Sequence, residues 1–125
     1  MAEEEYLYQR LSYEVIGAAI EVHKTLGPGL PENVYQKAFE RELTLRMIPF
    51  ESEREIIVEY KGTSIAKFYL DLVVADKIVV ELKALEKLAP VHESQLLTYL
   101  AASKLRLGLL FNFGEDTVRT KRLVR

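Results

Sequence analysis

The stretch FYLDLVVADKIVVELKALEK, Phe68–Lys87, decides the fold. Two apolar runs rich in β-branched residues flank the short polar segment ADK, a pattern typical of a β-hairpin. Three charged residues, Asp71, Glu81 and Lys83, interrupt these runs. Burying two carboxylates and an ammonium in a hairpin is unfavourable unless they pair with each other or hold a metal ion. The charges therefore indicate a site as well as a fold.

Side-chain alternation along a strand predicts which of these residues share a face. Glu81 and Lys83 are two apart and lie on one face, and the core-facing neighbours are Ile78, Val80 and Leu82. On the preceding strand, the face of Asp71 is predicted to hold Tyr69 and Val73, and the opposite face to hold Leu70, Leu72 and Val74. Counting outward from a turn near Asp76 brings Asp71 opposite Glu81, at about 5 Å.

Two carboxylates at that distance repel each other, and a divalent cation between them would remove the conflict. Mg²⁺ prefers a few carboxylate oxygens together with several waters. Lys83 would then orient a water, accept its proton or stabilise developing negative charge. The alternative is a solvated sheet face with an ordinary Glu–Lys pair, because D…ExK spacing is common in unrelated sequences.

The flanking segments predict helices before the hairpin. Apolar residues at spacings of three and four predict a helix from Tyr6 to about Thr25, which the glycines and proline of LGPGLP end. A second helix is predicted from Pro31, at its first position, to about Arg46. The residues expected to be buried on it are Val34, Ala38 and Leu45 along one stripe, with Tyr35 and Phe39 beside it. MIPFESER is interpreted as a connection.

The strand signals complete an α/β sheet with helices on both faces. EIIVEY, the turn KGT and SIAKFYLDLVV form a first hairpin, and ADK leads into the strand IVVELKAL. A helix follows from about Val91 to Ser103. LRLGLLFNF is apolar enough to be a strand buried on both faces, and the tail EDTVRTKRLVR is expected to add a short edge strand.

Composition limits the class of protein. The chain has 125 residues, which predicts one domain spanning 1–125. The net charge is −2, whereas nucleic-acid-binding domains are usually basic. Without cysteine there is neither a disulfide framework nor a thiolate zinc site. The absence of an export signal and of a long apolar span predicts a cytoplasmic protein that does not enter a membrane.

Several polar residues are candidates for completing the site. His92, Gln95 and Tyr99 share one face of the helix that follows the hairpin, where Gln95 would orient Lys83 or a phosphate. Taken singly, they are a helix-start residue, a polar flank residue and a core aromatic. Glu32 begins the second helix, where the helix dipole alone favours a carboxylate, or it is a third carboxylate facing the metal.

The first helix adds polar residues of its own. Glu14 and Glu21 border its apolar stripe and are interpreted as a solvated margin. His23 is expected to be a hydrogen-bonded structural histidine.

At a larger scale the chain resembles a known family. GLPENVY, Gly29–Tyr35, fits the G-x-x-E-x-x-Y signature of the GxxExxY proteins, and LDLVV, VVELKALEKLAPVHESQLLTYL and LGLLFNF follow in order. That family resembles the PD-(D/E)XK nuclease superfamily. The resemblance implies a restriction-endonuclease-like α-β-β-β-α-β core, a mixed sheet flanked by helices, with an extra N-terminal helix.

The same resemblance implies a nuclease site. By position, Asp71 and Glu81 match the Mg²⁺ or Mn²⁺ ligands, Lys83 matches the catalytic lysine, and Gln95 and Tyr99 match the Q-x-x-x-Y element. Glu32 is the candidate for an additional metal ligand, with Glu21 as runner-up. Leu70 stands where the superfamily often has proline. The implied activity is metal-dependent hydrolysis of nucleic acid, with DNA expected.

Two other interpretations stay open at this stage. One is a catalytically silent nuclease-fold module that binds a protein or nucleic-acid partner. The other is a metal-binding or homo-oligomeric structural protein, since the two long helices offer a dimer face. Basic residues are the candidate contacts to DNA, with a solvated surface as the alternative for each: Lys104, Arg106, Arg119, Lys121, Arg122 and Arg125.

Overall fold

In the computed structural model of the protein, which describes residues 7–125, three helices surround one five-stranded sheet. In chain order the elements are α1 (Gln9–Leu26), α2 (Glu32–Leu45), β1 (Phe50–Tyr60), β2 (Thr63–Val74), β3 (Ile78–Lys83), α3 (Pro90–Ser103), β4 (Leu107–Asn112) and β5 (Arg119–Val124). The strand order is β1-β2-β3-β4-β5. Only β3 and β4 are parallel, because α3 connects them, and the other neighbours are antiparallel. The predicted α/β class and α-β-β-β-α-β core with an extra N-terminal helix are confirmed.

The sheet has an apolar cluster on each face. Helices α1 and α2 cover one face, where Tyr35 and Phe39 pack with Val80 and Leu82. Helix α3 covers the other, and its cluster comprises Ile56, Leu70, Val73, Val79, Leu96, Leu100 and Leu110. Strand β4 is buried along its whole length, as the sequence predicts. Glu81 and Lys83 alternate with Val80 and Leu82, so they lie on the α3 face.

Both N-terminal helices differ in detail from the prediction. The predicted first residue of α1, Tyr6, lies outside the described residues, and α1 begins after Tyr8, whose φ is 51°. Pro31 precedes α2 as its N-cap, in an extended conformation, and is not its first helical residue.

The predicted buried stripe of α2 is wrong. Its buried residues are Tyr35, Phe39 and Leu43. Val34 and Ala38 are half-buried, and Leu45 is 59% exposed. The helix is rotated so that its two aromatic rings, which bury the most apolar area, face the sheet.

The predicted connection Met47–Arg54 is wrong in its second half, because β1 begins at Phe50, which pairs with Val74. Glu51 and Glu53 are exposed along this stretch, as is usual for an edge strand. The hairpin turn between β1 and β2 is confirmed. Its two residues, Lys61 and Gly62, have φ of 47° and 83°, the left-handed values that a two-residue turn of this type requires.

The alternation predicted for β2 fails at one residue. Leu72 and Val74 lie on the α1/α2 face, but Leu70 packs with Val73 in the α3 cluster. The strand is therefore irregular between Leu70 and Leu72, beside Glu53 of β1, whose φ is 56°. Within residues 7–125, no helix combines the length and apolar character that crossing a bilayer requires.

Candidate active site

The carboxylates of Asp71 and Glu81 meet where the backbone pairing of β2 with β3 ends. The last pair of that ladder is Leu72 with Val80, so the next pair in register is Asp71 with Glu81, as the turn position predicts. Here side chains replace the backbone ladder. Asp71 Oδ2 accepts a hydrogen bond from the Leu82 N–H at 2.9 Å, and Glu81 Oε1 accepts one from the Asp71 N–H at 3.5 Å. Each carboxylate is thus held by the opposite strand.

Glu81 is almost completely removed from water, with 6% of its surface exposed. Burial and, secondarily, the negative charge of Asp71 raise the pKa of Glu81 to about 9, against an opposing effect of Lys83. In the absence of a cation, Glu81 therefore carries a proton at neutral pH. Glu81 therefore does not lie on a solvated sheet face. A divalent cation would relieve the repulsion between this buried carboxylate and that of Asp71.

Lys83 lies at the end of β3, half-buried, on the same face as Glu81. Its positive charge lowers the pKa of Glu81 and also that of Glu32. The Lys83 carbonyl accepts a hydrogen bond from the Phe113 N–H at 2.8 Å, which joins this end of β3 to the end of β4. The backbone that carries the lysine is therefore fixed on its β4 side.

Asn112 reinforces this end of β3, and the sequence analysis missed it. Its side chain, fully buried, donates from Nδ2 to the Leu85 carbonyl at 2.9 Å and to Glu115 Oε2 at 2.8 Å, and Oδ1 accepts from the Leu85 N–H at 2.8 Å. Gly114 lies so close that an added Cβ would be 2.2 Å from the Leu85 carbonyl oxygen. The signal was present: a lone asparagine within the apolar run LRLGLLFNF.

Helix α3 places Tyr99 near the carboxylates. Its ring lies 5.9 Å from that of Phe68, and burial, then the charges of Glu81 and Asp71, raise the pKa of its hydroxyl. Gln95 is exposed one turn earlier. In the part of the chain that the structure describes, no hydrogen bond ties its amide to Lys83. The structure thus places Tyr99 near the carboxylates, and the role of Gln95 stays a prediction.

Glu32 approaches the site from α2. It occupies the first turn of that helix and is exposed. Partial desolvation and the charge of Asp71 raise its pKa, and Lys83 lowers it, so its carboxyl interacts with both. Among residues 7–125, no three His, Cys, Asp or Glu side chains converge closely enough to form a metal-binding set. Glu32 as a third ligand stays a prediction.

Residues considered on the other elements have structural partners. Glu21, the alternative to Glu32, accepts a hydrogen bond from Thr25 Oγ1 at 3.0 Å on α1. His23 is buried and donates from Nε2 to the Glu115 carbonyl at 2.8 Å, a structural role like the one predicted. His92 accepts a hydrogen bond at Nδ1 from the Ala89 N–H at 2.9 Å, at the start of α3.

The segment GLPENVY contains the residues that precede α2 and the first turn of that helix. Tyr35 is buried, and its hydroxyl donates to the Gly27 carbonyl and accepts from the Leu30 N–H at 3.2 Å. Its ring stacks on Phe113 at 4.8 Å. Because Tyr35 is one turn beyond Glu32 on α2, these contacts also fix the position of Glu32 at the start of the helix.

Comparison with known proteins agrees with this geometry. A sequence model of the PD-(D/E)XK nuclease superfamily matches residues 9–124. The chain belongs to the PD-(D/E)XK nuclease superfamily. This membership supports a nuclease-like function, and divalent metals and nucleic-acid substrates are general in that superfamily. Membership of the GxxExxY family stays a prediction.

A solved structure shares the fold. The structure titled "Crystal structure of SSO0001" superimposes on this PD-(D/E)XK chain with a TM-score of 0.60 at 20% sequence identity. The match covers 95% of this chain and 63% of that one. At this identity the similarity shows the fold alone. Among curated proteins, no sequence matches.

Proposed function

We propose that the protein is a divalent-metal-dependent nuclease that hydrolyses phosphodiester bonds of nucleic acid, with DNA as the expected substrate. The observation that carries the proposal is the buried Glu81 against Asp71 at the end of the β2–β3 ladder, with Lys83 next on the same face. This arrangement occurs in a chain of the PD-(D/E)XK nuclease superfamily.

The donor set fits a hard divalent cation. Asp71 and Glu81 offer only carboxylate oxygens, the ligands that Mg²⁺ and Mn²⁺ prefer, and Glu32 is the proposed additional ligand. When bound, such an ion supplies Lewis-acid stabilisation of negative charge on the phosphate and lowers the pKa of a water. Binding would require Glu81 to lose its proton, so its raised pKa couples metal affinity to pH.

The chain's own groups have distinct roles in this proposal. Lys83 Nζ orients the attacking water and offsets negative charge on the phosphoryl oxygens. The Tyr99 hydroxyl, beside both carboxylates, supports the phosphate, and Gln95 reaches the site once a substrate is bound. Asn112 and the Phe113 N–H keep the end of β3 in place while these groups act.

The experiment is a cleavage screen on single- and double-stranded DNA and RNA with Mn²⁺ or Mg²⁺. Asp71→Ala, Glu81→Ala and Lys83→Ala should each abolish cleavage in folded protein. Glu59→Ala, which removes an exposed carboxylate of β1, is the matched control and should cleave like the wild type. Wild-type cleavage by any of the three site variants would overturn its assigned role.

A second candidate is a catalytically silent nuclease-fold module that binds a protein or nucleic-acid partner. The net charge of −2 favours it, as does the finding that no third acidic ligand converges on Asp71 and Glu81 within residues 7–125. It predicts that Asp71→Ala and Glu81→Ala leave partner binding unchanged and that no substrate is cleaved. The possible homodimer stays a prediction, to be tested by sedimentation.

A further inference from the structure

We infer that an open cavity beside β5 is a second phosphate-binding subsite, which holds the substrate strand about two nucleotides from the bond that is cut. The inference rests on the proposed nuclease function. The cavity has a volume of about 500 Å³ and lies between β5 and the β3–α3 connection. Its lining includes Lys87, Pro90, Glu93, Arg119 and Lys121, and neither Asp71 nor Glu81 lines it.

The sheet register aligns this cavity with the candidate active site. Lys83 pairs with Asn112, and Asn112 pairs with Arg119. Two residues earlier on β3, Glu81 pairs with Leu110, and Leu110 pairs with Lys121. Neighbouring strands are about 4.8 Å apart, so each cation is two strands, about 10 Å, from its counterpart in the site.

These cations also lie on the correct face of the sheet. Leu123 packs in the α3 cluster, and alternation along β5 puts Lys121 and Arg119 on that same face. Glu81 and Lys83 are on the α3 face as well. Arg122, in contrast, points to the α1 side, where its Nη2 donates to the Leu7 carbonyl at 2.8 Å. Arg119 and Lys121 of the cavity therefore face the same side as the catalytic candidates.

The cavity cations are available for an external anion. Across the described range 7–125, no ion pair involves Lys87, Arg119 or Lys121. The rise of about 3.4 Å per nucleotide in B-DNA is measured along the axis, whereas neighbouring phosphates of one strand are roughly 7 Å apart in space, so a path slightly longer than about 10 Å spans about two nucleotides. Leu110 and Asn112, which lie between the two sites, are fully buried. A strand that runs from the Asp71–Glu81 pair over the β3–α3 connection thus brings a backbone phosphate to the cavity.

Acidic residues confine the proposed phosphate position to the β5 side of the cavity. Glu115 lines the cavity, but its Oε2 already accepts the hydrogen bond from Asn112 Nδ2 at 2.8 Å. Glu93, in the first turn of α3, lines the cavity with Glu86 and repels a phosphate there. The anion is therefore held by Arg119 and Lys121, and Glu93→Gln should strengthen binding.

The other basic residues of the C-terminal region lie elsewhere. Arg125 follows the far end of β5, and its N–H donates to the Arg106 carbonyl at 2.9 Å. Lys104 caps the C-terminal end of α3, before β4 begins. The double variant Lys37→Ala/Arg41→Ala removes the same charge from exposed positions of α2, on the opposite face of the sheet, and is the matched control for Arg119→Ala/Lys121→Ala.

The first test measures binding of a short oligonucleotide by fluorescence anisotropy, without metal so that no cleavage occurs, over a series of salt concentrations. Arg119→Ala/Lys121→Ala should reduce the slope of log K against log salt by about 1.5–2, whereas the control double variant should leave it unchanged. An unchanged slope in the first variant, with normal wild-type binding, would overturn the subsite and leave the nuclease proposal standing.

The second test locates the phosphate. Single methylphosphonate linkages, which are uncharged, are placed one to three nucleotides on either side of the mapped cleavage position. One of them should weaken wild-type binding about five- to tenfold and have no further effect in Arg119→Ala/Lys121→Ala. Equal losses in both proteins at every position would contradict the subsite. Failure of the wild type to bind or cleave any oligonucleotide would instead remove the nuclease proposal itself.

Discussion

Replacing Glu81 by glutamine should make the protein more stable, increasingly so as the pH rises. The pKa of Glu81 is raised from 4.5 to about 9 in the folded protein because the carboxyl is buried beside Asp71. Between these values the folded state holds a proton that the unfolded state has lost. The free energy of unfolding therefore falls with rising pH, by about 1.4 kcal/mol per pH unit for this group. Glutamine has the same shape and no such proton.

The comparison needs two pH values inside that window. From about pH 5.5 to about pH 7.5 the wild type should lose about 2–3 kcal/mol relative to Glu81→Gln, because all other titrating groups are common to both proteins. With a urea m value of roughly 1–3 kcal/mol/M, this moves the relative unfolding midpoints by about 1–2 M. The assay is urea unfolding with EDTA present. Parallel pH dependences in the two proteins would refute the reasoning.

Three further perturbations have defined outcomes. Lys83→Met should abolish cleavage while leaving Mn²⁺ affinity intact or higher, because the lysine is assigned to the water and not to the metal; loss of metal binding, measured by calorimetry, would contradict this. Gly114→Ala should lower the thermal midpoint sharply, because its Cβ would lie 2.2 Å from the Leu85 carbonyl oxygen. A midpoint within about 1–2 °C of wild type, which is the usual error of the measurement, would show that the loop moves to make room for the methyl group. Tyr35→Phe should cost about 1–3 kcal/mol in urea unfolding, because the Leu30 N–H and the Gly27 carbonyl lose a partner; an unchanged midpoint would mean that water replaces the hydroxyl.

The meeting of Asp71 and Glu81 was predictable because it depends on a turn position and on a period of two. The segment ADK fixes the turn, and the strands on either side are long enough to hold one register. The face of Leu70 was not predictable, because it depends on an irregularity of β2 beside Glu53 that has no signal in the local sequence.

The other differences between the predicted and the observed structure arise from tertiary packing. Helical periodicity identified α2, but two apolar stripes compete on it, and only contact with the sheet selects the one through Tyr35 and Phe39. The role of the Asn112 side chain was not predictable, because its partners, Leu85 and Glu115, are known only once β4 lies beside β3. Distances along the sequence do not reveal that Arg119 shares a row with Lys83.

The central claim, that the charges of the hairpin form a metal site, is tested most directly by calorimetric titration with Mn²⁺. Wild type, Glu81→Ala and the control Glu59→Ala are titrated in the presence of a non-hydrolysable oligonucleotide, so that ligands contributed by substrate are present. The account predicts one binding site per chain in the wild type and in Glu59→Ala, lost in Glu81→Ala. Binding that survives in Glu81→Ala, or no binding in the wild type, would contradict it.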